Sequence, residues 1–241
     1  MKQEITVLNK QLRLKQAENG FRTSLDSVML GAACPIQAGQ SLLDMGCGVG
    51  SAGLCVLHRV SEISLTGIEI QQSHCDLALE NAALNGFDKA ATFLCADIRH
   101  YKFEPSYHHI ICNPPYLDTG AHLRSPHDAK ATAMGHVGDM VTRDWVMNAA
   151  RLLKPDGSLT MIHQAEKIHK ILQAMESRFG AIEIIPLWPK AGKNAKRVII
   201  RAIKGRKSGA IMHSGLILHE EDGGYTLEAD KILRHGEGLF L

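Results

Sequence analysis

Short apolar runs alternate with amphipathic stretches along most of the chain. The runs have the length and composition of buried strands, and they fall at residues 41–45, 65–70, 92–97, 110–112, 158–162 and 198–200. Helices are predicted between them, at residues 51–60, 71–85 and 143–153. Because strand and helix alternate through residue 180, the pattern predicts an α/β fold with a doubly wound sheet and with ligands at the carboxyl ends of its strands.

Further elements are predicted at both ends of the chain. Residues 5–16 alternate apolar and polar side chains around Asn9-Lys10, which indicates a β-hairpin, and Ser24 is the expected N-cap of a helix that ends before Pro35. We therefore expect one domain spanning residues 1–241. It comprises an N-terminal hairpin and cap helix (1–38), a catalytic core (39–208) and a short ordered C-terminal extension (209–241).

Composition changes this picture little. The 241 residues are 45% hydrophobic, which suits one domain with a full core, and 27 basic residues nearly balance 25 acidic ones. No apolar run approaches the roughly 18 residues of a membrane span, and the N-terminus lacks a secretory pattern. The six cysteines form no Cys-x-x-Cys pair and the 13 histidines show no zinc spacing. We expect a cytoplasmic protein with reduced core thiols and no metal.

The apolar run 110–112 ends abruptly in Asn113-Pro114-Pro115-Tyr116. Each proline fixes its own φ angle, and the residue before a proline is pushed away from helix, so the turn is stiff. Such a turn can present the Asn113 amide oxygen and the Pro114 carbonyl to an amine, and the Tyr116 ring can stack on a planar substrate. Alternatively, the tetrapeptide is only a turn, because such dipeptides commonly mark loops.

A glycine-rich loop 66 residues earlier favours the functional interpretation. Asp44 lies near the end of the apolar run 41–45. Gly46, Gly48 and Gly50 follow it before a predicted helix. Glycines at these positions permit positive φ angles and a close backbone approach to a ligand. No Gly-Lys-Ser/Thr phosphate grip follows, and the acid favours an ammonium group over a phosphate.

Two further acids stand at the ends of the next predicted strands. Glu69 comes 25 residues after Asp44, at a spacing where a carboxylate can hold two ribose hydroxyls. Asp97 ends the following run and is placed to accept a hydrogen bond from an adenine amine. Together the loop and the acids predict a nucleoside-bearing cofactor at this edge of the sheet.

These motifs resemble those of class I S-adenosylmethionine-dependent methyltransferases, whose members transfer a methyl group and release S-adenosylhomocysteine. The resemblance implies a Rossmann-like methyltransferase sheet that is mostly parallel, with an antiparallel last strand. The Asn-Pro-Pro-Tyr motif is similar to that of enzymes that methylate planar exocyclic or amide nitrogens. The implied cofactor-binding residues include the loop residue Cys47 and also Asn113, beside the glycines and acids named above.

Residues 19–27, 188–198 and 218–228 resemble a bacterial subgroup that methylates the exocyclic amine of an adenosine in the anticodon loop of valine tRNA. This similarity spans nearly the whole chain. It implies that Phe21 and Asp26 lie above the cofactor pocket, and that the partner is RNA, most specifically a tRNA. The oligomeric state is not predicted.

Two segments are candidates for contact with that RNA. Residues 190–207 carry eight cations and no acid, which favours a phosphate backbone over a merely solvated face, and we expect Lys193, Lys196 and Arg197 to contact it. The polar segment 117–140 is either a clamp on the target nucleotide, through Arg124 and Lys130, or a solvated loop with incidental charges.

Three alternative functions fit the sequence less well. Glutamine-amide methyltransferases of release factors share the Asn-Pro-Pro-Tyr turn, but only about 40 residues precede the first core strand here, which leaves little room for their separate recognition domain. A DNA adenine methyltransferase would need a distinct base-reading domain. A noncatalytic RNA-binding module is disfavoured because all four motifs are intact.

Overall fold

The structure is a computed structural model that describes residues 2–17, 23–101, 106–116 and 140–239. The helices are α1 (Leu25–Ala33), α2 (Ser51–Arg59), α3 (Gln72–Leu84), α4 (Thr142–Leu152), α5 (Ile168–Met175) and α6 (Leu227–His235). The strands are β1 (Lys2–Val7), β2 (Leu12–Ala17), β3 (Ser41–Met45), β4 (Ser64–Glu69), β5 (Ala91–Cys95), β6 (Tyr107–Cys112), β7 (Leu153–Gln164), β8 (Phe179–Trp188), β9 (Arg197–Lys204), β10 (Ala210–Met212) and β11 (Leu216–Ile217).

Strands β3 to β11 form one mixed sheet. Its order is β10-β8-β9-β7-β6-β3-β4-β5, and β11 also pairs with β8. The pairs from β5 across to β7 are parallel, whereas β9 runs antiparallel to both β7 and β8. The chain order reverses between β3 and β6, and such a switch point is where doubly wound sheets bind ligands. The predicted mostly parallel α/β sheet with an antiparallel last core strand is confirmed.

Successive residues of the central strands enter two separate hydrophobic cores. Leu42 and Ile111 belong to the core beneath α1, α2, α3 and α6, while Leu43 and Ile110 belong to the core beneath α4 and α5. Side chains alternate across a strand, so a strand with helices on both faces must be apolar at every position. The continuous apolar runs in the sequence follow directly from this three-layer arrangement.

The predicted N-terminal hairpin is present as β1 and β2, which pair antiparallel from Lys2↔Ala17 to Val7↔Leu12. It is held beside the glycine loop by Asn81 of α3, whose side chain is fully buried. The Asn81 amide nitrogen donates to the carbonyl oxygens of Val49, at 2.9 Å, and Lys15, at 3.0 Å. The hairpin is therefore fixed against the loop that follows β3.

Several boundaries differ from the sequence-based expectations. Ser24 occupies the N-cap position of α1, but its hydroxyl caps no backbone N–H. Strand β7 begins at Leu153, directly after α4, and a register shift against β6 accommodates the turn residues 154–157. Strand β8 and the helices α5 and α6 were not predicted. The short strands β10 and β11 were not predicted either, because two or three residues show no periodicity. Among the described residues, no helix is long and apolar enough to cross a membrane.

Candidate active site

The carboxyl ends of β3, β4 and β6 bring most of the predicted site residues to one edge of the sheet. Asp44 lies in β3 beside Ile111 of β6 and Gly67 of β4, and Glu69 is the last residue of β4. Asn113 directly follows β6. Adjacent parallel strands end at the same edge, so motifs separated by up to 69 positions in the chain become neighbours.

The glycine loop connects β3 to α2 and has the backbone shape that only glycine adopts without strain. Gly46, at φ 74°, faces the indole of Trp145, which a Cβ atom at this position would meet at 2.6 Å. Gly48, at φ 54°, is different, because within the described part of the chain a Cβ atom there would have no heavy atom closer than 4 Å. The space beside the loop backbone is thus filled by Trp145 at Gly46 and free of described side chains at Gly48.

Asp44 is buried beneath this loop. One carboxylate oxygen, Oδ2, accepts a hydrogen bond from the Gly53 N–H at 2.9 Å, at the first turns of α2. Burial raises the pKa of Asp44 to about 7, although the Gly53 hydrogen bond opposes this rise. A positive charge bound nearby would lower this pKa and favour loss of the proton, because an opposite charge stabilises the carboxylate.

The two downstream acids are placed differently. Glu69 accepts the N–H groups of Gly48, at 3.0 Å, and Gln71, at 2.9 Å, one on each carboxylate oxygen, so it ties β4 to the open part of the glycine loop. Asp97 lies two residues beyond the end of β5 and is paired with Arg99, whose Nε lies 3.0 and 2.9 Å from its two oxygens. The Arg99 hydrogen bond lowers the pKa of Asp97.

These residues fit a cofactor that carries both ribose hydroxyls and a positive charge. Glu69 keeps lone pairs beyond the two backbone hydrogen bonds, because each carboxylate oxygen can accept more than one donor. Gly48 offers backbone without a side chain beside it, and Asp44 supplies negative charge below. Asp97 would have to share its carboxylate with Arg99 in order to contact an adenine amine.

The last three residues of the turn, Pro114, Pro115 and Tyr116, line one wall of a cavity of about 570 Å³, within the size range of small-molecule sites. Pro114, Pro115, Tyr116, Trp145 and His163 are among the residues that line it. Among the hydrogen bonds of the described residues, none uses the Asn113 amide. Trp145 was not singled out from the sequence, since an apolar helix position normally indicates only core.

Tyr116 belongs to a cluster that the sequence did not predict. Its hydroxyl donates to Asp26 Oδ2 at 2.8 Å, and Arg197 Nε donates to the same oxygen at 2.8 Å. The Arg197 guanidinium carbon lies 4.9 Å from the centre of the Tyr116 ring, and the His163 ring contacts that ring edge-on at 5.0 Å. Burial, together with the Asp26 charge and hydrogen bond, raises the pKa of Tyr116.

The structure divides the basic segment 190–207. Strand β9 crosses the sheet, so Arg197 lies at the edge that carries Asn113, whereas Lys204 lies about 23 Å away at seven strand rises of ~3.3 Å. Arg197, Arg201 and Arg206 are ion-paired to Asp26, Glu183 and Asp156. Lys193 and Lys196 are exposed in the β8–β9 connection, near the site. The eight cations therefore do not form one continuous free surface, and the RNA contacts expected of Lys193, Lys196 and Arg197 stay predictions.

Three of the predicted site residues, Phe21, Arg124 and Lys130, lie outside the described residues. Within the described ranges, no group of three or more histidine, cysteine, aspartate or glutamate side chains is arranged to hold a metal ion. The six cysteines are free thiols, and only Cys95 is exposed.

Comparisons with known proteins agree with this geometry. The family model described as "Methyltransferase small domain" matches residues 25–187. The chain is similar to the tRNA1(Val) (adenine(37)-N6)-methyltransferase of Aeromonas hydrophila, with 28% identity over 219 residues and 90% of each chain covered. It is also similar to the Shewanella baltica protein of the same name, with 26% identity over 232 residues, covering 93% of this chain and 95% of that protein.

Solved structures show the same fold. A protein described as a predicted O-methyltransferase from Agrobacterium tumefaciens superposes with a TM-score of 0.75 and 25% identity, covering 89% of this chain and 98% of that chain. A tRNA (m1A58) methyltransferase from Aquifex aeolicus superposes with a TM-score of 0.55 at 15% identity, covering 80% of this chain and 73% of that chain. The second similarity concerns the fold alone.

Proposed function

Because this chain belongs to the methyltransferase small domain family, we propose that it is an S-adenosylmethionine-dependent enzyme that methylates the exocyclic amine of an adenosine in RNA. The most specific form of the proposal names the anticodon loop of a tRNA as the substrate. It is supported by the relatives named tRNA1(Val) (adenine(37)-N6)-methyltransferase, which align over nine tenths of the chain. A tRNA substrate would place the enzyme in the cytoplasm.

One observation carries the proposal. Asn113 directly follows β6, and its side-chain amide makes no hydrogen bond to another described residue. Strand β6 lies next to β3, which leads into the glycine loop. An amine acceptor and a cofactor cradle thus lie side by side at the switch point of the sheet. Tyr116, three residues after Asn113, lines the 570 Å³ cavity, which has room for a planar base.

The proposed cofactor contacts come from the glycine loop and two acids. We assign the ribose hydroxyls to Glu69, the close backbone approach to Gly48 and the nearby negative charge to Asp44. Asp97 is assigned to the adenine amine. To accept that hydrogen bond, its carboxylate would give up one of its hydrogen bonds from Arg99. S-adenosylmethionine, when bound, supplies an electrophilic methyl group.

The chain's own residues then act on the target amine. The lone pair of an aromatic amine is delocalised into its ring, so the amine is a poor nucleophile. Hydrogen bonds from the amine to Asn113 Oδ1 and to the Pro114 carbonyl favour a pyramidal nitrogen with its lone pair free to attack. Positive charge would grow on the nitrogen as the N–C bond forms and the sulfur–methyl bond breaks, with S-adenosylhomocysteine as the leaving group. The same two acceptors would stabilise this charge before one proton leaves to solvent.

Methylation of a glutamine amide in a protein is the alternative. A glutamine side chain presents a planar NH₂ group to the same two acceptors, so the turn alone does not distinguish the substrates. The names of the relatives favour RNA. An unpaired loop adenosine also costs little to flip out, because it gives up no base pair.

The proposal is tested by incubating the protein with methyl-labelled S-adenosylmethionine and separate pools of tRNA, rRNA, DNA and release factor. We expect label in tRNA, and N6-methyladenosine on mass spectrometry of its nucleosides. Label on a release-factor glutamine, with none in RNA, would establish the alternative reaction.

Substitution of Asn113 tests the role of the turn. Asn113→Ala should lower kcat by about a hundredfold or more and leave the cofactor Kd nearly unchanged, because its hydrogen bonds strengthen in the transition state. Asn113→Asp keeps an acceptor oxygen and should retain more activity than the alanine variant. Asn148→Ala, at a half-buried position of α4 where the amide hydrogen-bonds to Asp144 and Arg151 of the same helix, is the matched control. Near wild-type kcat in Asn113→Ala would show that the turn is only structural.

A further inference from the structure

The cluster around Tyr116 joins four separate parts of the chain. Asp26 lies in the first turn of α1, Tyr116 follows the Asn-Pro-Pro turn, His163 lies near the end of β7, and Arg197 begins β9. Asp26 Oδ2 accepts hydrogen bonds from both the Tyr116 hydroxyl and Arg197 Nε, each at 2.8 Å. One carboxylate oxygen therefore fixes the phenol and the guanidinium relative to each other.

This arrangement restricts the Tyr116 ring on several sides. The hydroxyl is held by Asp26, one face is covered by the Arg197 guanidinium at 4.9 Å, and the His163 ring lies against it at 5.0 Å with an interplanar angle of 62°. The ring also lines the 570 Å³ cavity next to Pro114 and Pro115. A base that stacks on Tyr116 must therefore approach from the cavity and not from the side of Arg197.

The cluster is also largely shielded from water, which strengthens its charged contacts. The Asp26 side chain is 12% exposed and the Arg197 side chain is 32% exposed. Hydrogen bonds to charged groups hold a geometry more strongly than neutral ones, and a planar guanidinium can donate to a carboxylate while it stacks on a ring. Arg197 thus has both of its interactions satisfied inside the protein, unlike the exposed Lys193 and Lys196.

We propose that Asp26 and Arg197 are positioning residues that fix the Tyr116 ring as the stacking wall for the target base. This inference rests on the proposed function of the Asn113–Tyr116 turn. It reassigns both residues, since the sequence placed Asp26 at the cofactor and Arg197 on the RNA backbone. The two residues act through Tyr116, and Arg197 makes no phosphate contact.

The kinetic test compares Arg197→Met with Arg201→Met. Arg201 lies on the same strand, ion-pairs with Glu183 and donates to the Ala33 carbonyl, so its loss perturbs β9 without touching Tyr116. Arg197→Met should lower the single-turnover rate by about ten- to a hundredfold, because a misplaced ring misplaces the base. Its cofactor Kd and the salt dependence of its RNA binding should stay as in the wild type. Arg201→Met should change the rate by less than about twofold.

A double-substitution cycle tests whether Arg197 acts through the ring. In a Tyr116→Ala background, adding Arg197→Met should cause no further loss of rate, since the group that it positions is gone. An equal further loss would overturn the proposal. A flattened salt slope in Arg197→Met would also overturn it, because that result would place Arg197 on a phosphate.

A substrate-free measurement separates this inference from the proposed function. The chain has four tyrosines, so ¹⁹F NMR of fluorotyrosine-labelled protein gives few signals, and Tyr116→Phe identifies the one from Tyr116. Arg197→Met and Asp26→Asn should shift or broaden that signal, and Arg201→Met should not. An unchanged signal with an unchanged rate refutes the positioning role. If the Tyr116 signal changes in these variants but the wild-type protein methylates no RNA, the proposed function is refuted. The role of the ring in binding a base is then refuted with it, while the contacts that hold the ring remain established.

Discussion

Replacing Gly48 by alanine is expected to weaken cofactor binding far more than it weakens the fold. Gly48 has φ 54°, where an L side chain costs about 1–2 kcal/mol of stability. The added methyl group would meet no heavy atom of the described residues within 4 Å, so no clash with them adds to this cost. The methyl group would instead occupy space beside the loop backbone that we assign to the cofactor.

The expected loss of affinity follows from the same geometry. Forcing an extra methyl group into a closely packed contact typically costs about 1–3 kcal/mol, which corresponds to about 5- to 150-fold in Kd. Isothermal calorimetry with S-adenosylhomocysteine measures this change directly, and chemical unfolding measures the stability of the same samples.

Two other glycines serve as controls. Gly39 has φ 81° and likewise no heavy atom of the described ranges within 4 Å of a Cβ position, but it is exposed and lies before β3. Gly39→Ala should therefore cost similar stability and leave the cofactor Kd unchanged. Gly46→Ala should mainly destabilise the fold, because its Cβ atom would meet the Trp145 ring at 2.6 Å. Wild-type cofactor affinity in Gly48→Ala would refute the assignment of this loop to the cofactor.

Three further predictions concern charged residues. Glu69→Ala should weaken cofactor binding by some tens-fold, at about 2–3 kcal/mol for the lost contacts, and unchanged affinity in calorimetry would remove Glu69 from the site. Asp44 has a pKa of about 7 in the folded protein against a usual value of 3.8. Between these pH values the folded protein binds one proton more than the unfolded chain, so stability should fall as pH rises from about 4 to 7. Asp44→Asn should remove this part of the pH dependence in unfolding measurements, and an identical pH profile would contradict the raised pKa. Replacing Lys193 and Lys196 together by alanine should flatten the log–log salt slope of tRNA binding by about one and a half units, and an unchanged slope would place the RNA elsewhere.

The sequence by itself determined most elements of the core and the cofactor motifs, because both are local. The runs that became β3, β4, β5 and β6 are apolar at successive positions, as strands covered on both faces must be. Gly86 follows α3 in the left-handed conformation, at φ 73°, which glycine favours at the end of a helix. Asp44, Glu69 and Asn113 could be placed at one edge because parallel strands end at the same side of a sheet.

Side-chain partnerships could not be predicted in the same way. The sequence placed Asp97 at a cofactor amine, but Arg99, two residues away, holds its carboxylate. The basic run 190–207 is continuous in sequence, yet an extended strand carries its two ends to opposite edges of the sheet. The number of cations per residue does not predict this separation between the two ends of the run, because it contains no information on the direction of the backbone.

Only the tertiary structure decided what surrounds Tyr116. Its hydroxyl meets Asp26 from 90 residues earlier in the chain, and Arg197 reaches the same carboxylate across 171 residues. These contacts depend on β9 inserting antiparallel between β7 and β8 and on α1 lying over the end of β7. No local periodicity encodes that insertion, because the order of strands is set by how all the apolar faces are buried together.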